Sequence, residues 1–269
     1  MLIFADIQLG LRLALRARFL VVGFWLIVAL GAIVLMAAQF SGRQPATIAL
    51  DIGLSAIRLA LPVVLVMLMQ ELFSREFERR YYLSSLSYPR PRHALLLGRF
   101  IAAYGLTIFL LLCMAILLAV LVSVIGQGYA QATPVSLGLP YAITIAFISL
   151  DLLVLAVVAN LLAIFATTPG FVLIGTLGFM LIARSFSAII TLLQRDGDVV
   201  ANPERYQESL SLIGYLFPDL GALDVRMIAL YNTLNFLPGN WPTAVVTALL
   251  YSATLLGVSL WLLNRRRFS

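Results

Sequence analysis

FLVVGFWLIVALGAIVLMAA, residues 19–38, carries no charge and no Ser, Thr, Asn or Gln. As a helix these twenty residues rise about 30 Å, the thickness of a bilayer's hydrocarbon core. Helix is the form such a segment takes in lipid, where backbone polar groups must be satisfied within the segment. The rest of the chain has the same character. Of 269 residues 62% are hydrophobic and 11% charged, and the mean hydropathy is +1.03. Soluble domains hold about 45–50% apolar and about 25% charged residues. The fold class expected is therefore an all-α polytopic membrane protein.

Working outward, spans are expected at 19–40, 50–73, 96–125, 140–166, 170–193 and 241–263. Asp51 and Arg58 soften the outer boundary of the second span. Ala166-Thr167-Thr168-Pro169-Gly170 reads as a tight turn between the fourth and fifth. Without it, 140–193 would be roughly 81 Å of helix, so a crossing and return is expected. The basic N-terminus before an apolar segment resembles a secretory signal. The segment is too long for one, and Gln39-Phe40-Ser41 is a poor cleavage site, so a retained helix is expected.

Residues 1–18 place Ile3, Phe4, Ile7, Leu11 and Leu15 at helical spacing, with Asp6, Gln8, Arg12 and Arg16 on much of the remaining surface. A basic amphipathic helix beside a span is expected to lie in the interface plane. Every basic residue other than His93 is arginine, and their distribution orients the chain. Arg12, Arg16, Arg18, Arg75, Arg79, Arg80, Arg90, Arg92, Arg99, Arg265, Arg266 and Arg267 fall on one side of six spans. Only Arg43, Arg195, Arg205 and Arg226 fall on the other. The positive-inside rule then puts both termini and the 74–99 loop in the cytoplasm. The domain plan is an interfacial helix over 1–18 and a six-span domain over 19–269, with a cytoplasmic loop at 74–95 and an outer helical region at 194–240. That outer region reads as two short interfacial helices, either a cap over the bundle or a gate or partner contact.

Several chemistries are excluded. No phosphate-binding GxxxxGK[ST], HExxH or GxSxG pattern occurs, so no enzymatic site is expected in this chain. The single cysteine, Cys113, rules out an internal disulfide and a cysteine-based zinc site, and one histidine cannot build a multi-histidine site. Three ionisable groups and one amide are expected inside the membrane: Arg58, Asp151, Arg184 and Asn160. An unpaired charge there costs on the order of 2.5–3.5 kcal/mol on insertion scales, so partners are expected. Asp151 lies roughly 16 Å in from the outer side and Arg184 roughly 21 Å in from the inner side. Asp151 with Arg184 is the preferred pair and Arg58 with Asp151 the alternative, either as a structural clamp or as part of a hydrophilic conduit.

The loop QELFSREFERRYYLSSLSYPRPRHALLLGRF, residues 70–100, needs more than orientation to explain it. It mixes six arginines with three glutamates. Glu71, Arg75, Glu78 and Tyr82 fall at helical spacing, and Glu76 with Arg80 makes a further i,i+4 pair. Such pairs contribute about 0.2–0.5 kcal/mol each. The second span is thus expected to continue as helix into the cytoplasm, turn at Pro89 and Pro91, and return.

Three pieces of this loop, Glu71–Arg80, Leu83–Arg92 and Leu95–Arg99, resemble the first cytoplasmic loop of ABC-2-type transporter permeases. The family shows an acidic-rich segment, a Leu-Ser-x-Pro-x-x-Arg corner and a Gly-Lys or Gly-Arg entering the third span. Six spans, the amphipathic first helix and Phe217-Pro218-Asp219-Leu220 agree with it. The resemblance is nearest to small permeases that work with a separate ATPase. It implies a half-transporter in the bacterial inner membrane, paired with a second copy or a related chain and with two ATPase subunits. ATP and magnesium would sit on those subunits, with no cofactor in this chain and no nucleic-acid partner. Glu76, Glu78, Arg79 and Arg80 would carry the charged part of the ATPase contact, with Arg75, Pro89 and Arg90 in the same coupling element. Tyr81, Tyr82 and Leu83 would be its buried anchors, and the 166–170 turn a smaller second contact. Membrane lipid surrounds such a chain, and a periplasmic partner is a further expectation. The apolar bundle favours a hydrophobic or amphipathic substrate. The alternatives are an ion-coupled carrier using Asp151 and a force-transmitting scaffold of an envelope complex.

Overall fold

The computed structural model describes residues 2–16, 18–78, 92–128, 135–165, 168–195 and 218–265, and among these there is helix and no strand. In chain order the helices are α1 (Leu2–Arg16), α2 (Phe19–Phe40), α3 (Pro45–Glu78), α4 (Arg92–Gln127), α5 (Leu139–Phe165), α6 (Pro169–Arg195), α7 (Met227–Tyr231) and α8 (Trp241–Arg265). A 3₁₀ turn, Leu234–Phe236, lies between α7 and α8. Of the region 194–240, where two short helices are expected, the described residues hold α7 and this turn, and 196–217 lies outside the described residues.

Among the described residues, five helices are long and apolar enough to cross a bilayer: α2, α4, α5, α8 and the Pro45–Leu72 part of α3. Within α6, residues Gly170–Ser185 form an apolar stretch as well. The chain is thus a polytopic helical membrane protein. Proline marks several helix starts, at the first position of α3 and α6 and the second of α5 and α8. There its missing N–H belongs to a group that has no intrahelical partner anyway.

The bundle is centred on α3 and α5. α3 packs against α1, α2, α4, α5, α6 and α7, and α5 packs against α3, α4, α6, α7 and α8. The most apolar stretch of α5 is 67% buried, whereas those of α2 and α8 are 22% and 17% buried, so these two helices present most of their surface outward from the bundle. Most hydroxyls in the spans are satisfied by their own helix. Thr107, Thr144, Ser252 and Ser259 each donate to the carbonyl four residues earlier, as lipid surroundings require.

One local expectation is revised. Asp6, expected on the polar surface of α1, is buried, together with Gly10 and Ala14. These three lie at i, i+4 and i+8 and form the face that meets α4. The reason is close approach. A methyl group placed on Gly98 of α4 would lie 2.6 Å from the Cβ of Asp6, and one placed on Gly10 would lie 2.8 Å from that of Ala102. The apolar stripe of α1 is left for the membrane, with Leu15 exposed and Ile7 and Leu11 half-buried. The corner from α1 to α2 is made by Arg18, whose φ of 61° is left-handed and whose carbonyl accepts from the N–H groups of Val21 and Val22.

Candidate functional site

The intramembrane charges converge. Asp151, on the buried side of α5, is 1% exposed, and its Oδ2 accepts a hydrogen bond from Arg184 Nη2 of α6. The same oxygen lies 3.6 Å from Arg58 Nε of α3. The structure therefore brings Arg58, Asp151 and Arg184 into one cluster, with Asp151 between the two guanidiniums.

The cluster extends further than the sequence reading reached. Arg58 Nη1 also pairs with Asp224 Oδ2, and its Nη2 donates to the Leu220 carbonyl at 2.9 Å. Asp224 Oδ2 in turn lies 3.6 Å from Arg226 Nε. Arg226 Nη1 pairs with Asp51 Oδ1 at 3.1 Å and donates to the Ser55 hydroxyl. The result is an alternating ladder, Arg184–Asp151–Arg58–Asp224–Arg226–Asp51, whose formal charges cancel. Exposure rises along it, from 1% for the Asp151 side chain through 32% for Asp224 to 45% for Asp51. The pairs at the Asp151 end are therefore the least screened by solvent.

Proline positions one rung. Pro62 lies inside α3 and has no N–H to give to the carbonyl four residues earlier, that of Arg58. That carbonyl accepts from Arg184 Nη1 at 3.1 Å instead. Arg184 thus joins the carboxylate of α5 to the free backbone acceptor of α3, a way in which neighbouring helices re-satisfy a proline-broken turn in lipid.

The ladder also holds the segment 218–231 onto the bundle. In Pro218–Ala222, Asp219 Oδ1 accepts from the Ala222 N–H at 3.1 Å, closing a local turn. The Leu220 N–H donates to the Ala183 carbonyl of α6 at 3.2 Å. Leu220, Leu223, Val225, Ile228, Ala229 and Leu230 are buried beneath it. Between Ser55, Arg58, Thr144 and 223–226 remains a cavity of about 10 Å³, about the space of one water molecule.

Asn160 does not join the ladder. It lies nine residues beyond Asp151 on α5, fully buried, and neither atom of its amide has a hydrogen-bond partner among the described residues. Of the expected coupling residues, Arg75, Glu76 and Glu78 fall on the end of α3. Arg79, Arg80, Tyr81, Tyr82, Leu83, Pro89 and Arg90 lie outside the described residues. At the base of that loop, buried Arg99 of α4 donates from Nη1 to the Leu72 carbonyl of α3 at 3.2 Å, tying the two helices together where the loop leaves them.

Asp51, Ser55, Asp224 and Arg226 are the residues that the sequence reading left unassigned. A signal for the first two was present: Asp51, Ser55 and Arg58 stand at i, i+4 and i+7, on one helical face. Asp224-Val225-Arg226 carries no comparable signal, because its partners are reached only once the segment 218–231 folds over α3. Among the described residues, no group of three or more His, Cys, Asp or Glu could hold a metal ion. No protein-family model matches the chain, and a search of curated proteins returns no match.

Proposed function

We propose that the chain is the membrane-spanning subunit of an ATP-driven exporter of the ABC-2 type. The observation that carries this reading is the base of the charged loop. α3 does not stop where its apolar run gives way to Gln70 and Glu71 but runs on to Glu78, and α4 begins at Arg92. Two helical stalks tied by Arg99 and the Leu72 carbonyl give a stiff lever, suited to transmitting a pull from a partner. The mixed charge of the loop favours a protein socket over anionic lipid, which would select arginine alone.

In this reading α6 is the sixth span, so that both termini and the loop share the cytoplasmic face of a bacterial inner membrane. Two copies, or this chain and a related one, engage two ATPase subunits that carry ATP and magnesium. Closure of those subunits pulls the loops and opens a path for a hydrophobic or amphipathic substrate. The ladder then acts as a clamp that keeps the outer segment seated on α3, α5 and α6.

The test is co-purification of the chain with the products of neighbouring genes, scored for an ATPase that carries a GxxxxGK[ST] loop. The expected result is a stable complex that is lost on Glu78→Arg together with Arg79→Glu. The reading fails if no ATPase associates with the chain, or if the reversed charges leave the complex and its ATP turnover unchanged.

A further inference from the structure

The lipid-facing side of the bundle holds a cavity of about 430 Å³ between α2 and α3, with Met114 of α4 among its lining residues. Its walls are Val22, Leu26, Ala29 and Ile33 on one side and Ala56, Leu59, Ala60, Val63 and Met67 on the other. Leu30, Val64 and Met114 are buried and form its floor, while Val22, Ile33, Leu59 and Met67 are exposed and form its rim. The hollow exists because Ala29, Ala56 and Ala60 stand where larger side chains would meet across it.

We infer that this cleft is a binding site for one acyl chain of a bilayer phospholipid. The lining offers no charged or polar side chain, so neither a headgroup nor a polar solute finds a partner in it. From Val22 to Ile33 it runs roughly 16 Å along α2, close to half of an about 30 Å hydrocarbon core, the reach of a lipid tail in one leaflet. Spread over that length, its volume corresponds to a section of roughly 25 Å², well below that of an α-helix about 10–12 Å across. A whole helix of a second copy is therefore too thick to lie within the cleft and at most covers its mouth, whereas a single hydrocarbon chain fits inside it. Arg18 is exposed at the head of α2, one turn from Val22, where the phosphate of such a lipid would lie. A chain lying in the cleft packs on three helices at once and stays longer than the lipids around it, because packing rather than hydrophobicity distinguishes sites within a bilayer. The inference rests on the bilayer placement of α2 and α3 and needs no ATPase partner.

The test uses the full-length protein in phosphatidylcholine vesicles that contain a phosphatidylglycerol with a mid-chain diazirine, without nucleotide or partner. After photolysis the adducts are mapped by peptide mass spectrometry. Met114 is 1% exposed, so a tail labels it only from inside the cleft, while Ile116 and Leu250 report ordinary lipid contact. The expected result is labelling of Met114 and Met67 together. Labelling of Met114 falls to background in Ala60→Phe and, independently, in Ala29→Phe, with Ile116 and Leu250 unchanged. Labelling of the exposed faces without Met114 overturns the proposal. So does a disulfide-linked dimer through Leu59→Cys in a Cys113→Ser background when Met114 is unlabelled, which would give the cleft to a second copy.

Discussion

Asp151→Asn removes one negative charge from the most buried point of the ladder and changes little else in size. Arg184 then keeps the Arg58 carbonyl, and Arg58 keeps Asp224 and the Leu220 carbonyl. Each guanidinium loses its share of one carboxylate, and the two face each other across an amide. Breaking a buried ion pair from one side costs about 3–5 kcal/mol, since the remaining charge is left uncompensated. Asp224→Asn removes a carboxylate that also sits between two arginines, but its side chain is 32% exposed. Screening should reduce that loss to about 1 kcal/mol or less. For a chain of this size a loss of about 1 kcal/mol moves the midpoint of unfolding by roughly 2–4 °C. Asp151→Asn should therefore lower the Tm of the nanodisc-embedded protein by about 6–20 °C, and Asp224→Asn by about 4 °C or less. Adding Arg184→Gln to Asp151→Asn should recover part of the loss, with a coupling of about 1–3 kcal/mol in the double-mutant cycle. Equal effects of the two aspartate changes, or an additive double mutant, would refute the view that burial of Asp151 between two arginines anchors the ladder.

Backbone geometry supplies two more tests. Pro62→Ala restores an N–H that can bond the Arg58 carbonyl within α3, displacing Arg184 Nη1. Replacing Arg184 by Gln should then cost about 1 kcal/mol less in the Pro62→Ala background than in the native one, measured as coupling in thermal unfolding. An unchanged cost would show that the proline does not govern the Arg184 contact. Gly98→Ala should push α1 away from α4, because the new methyl meets the Cβ of Asp6 and the backbone at Asp6–Ile7. The expected cost is about 1–3 kcal/mol, with faster proteolysis within α1. Gly105→Ala, which has nothing within 4 Å, should instead be neutral or stabilising by up to about 1 kcal/mol. Equal proteolysis of α1 in the two variants would remove the close approach as an explanation.

What could be read ahead of the structure follows from how strongly each feature is constrained by its solvent. Lipid obliges an apolar segment to be helical, so the boundaries of α2, α4, α5 and α8 lie close to those expected from composition alone. The cost of charge in the membrane likewise points to Arg58, Asp151 and Arg184 and to their need for partners, although both candidate pairings of Asp151 occur where one was preferred. Asp224 and Arg226 were beyond reach because the segment 218–231 is not a long apolar helix and carries no such obligation. Their role depends on Leu220–Leu230 folding down over α3, a tertiary event without a local period. α1 shows the converse failure. Its periodicity is amphipathic, yet the face used for packing is Asp6–Gly10–Ala14, chosen by the shape of Gly98 and Ala102 rather than by hydrophobicity. In lipid, apolar surface gains nothing by leaving its solvent, so small residues that permit close approach decide which face of a helix is inside. The same physics makes the cleft between α2 and α3 invisible to hydropathy. Ala29, Ala56 and Ala60 score as ordinary apolar residues, and only their position opposite one another opens a space that a lipid tail can fill.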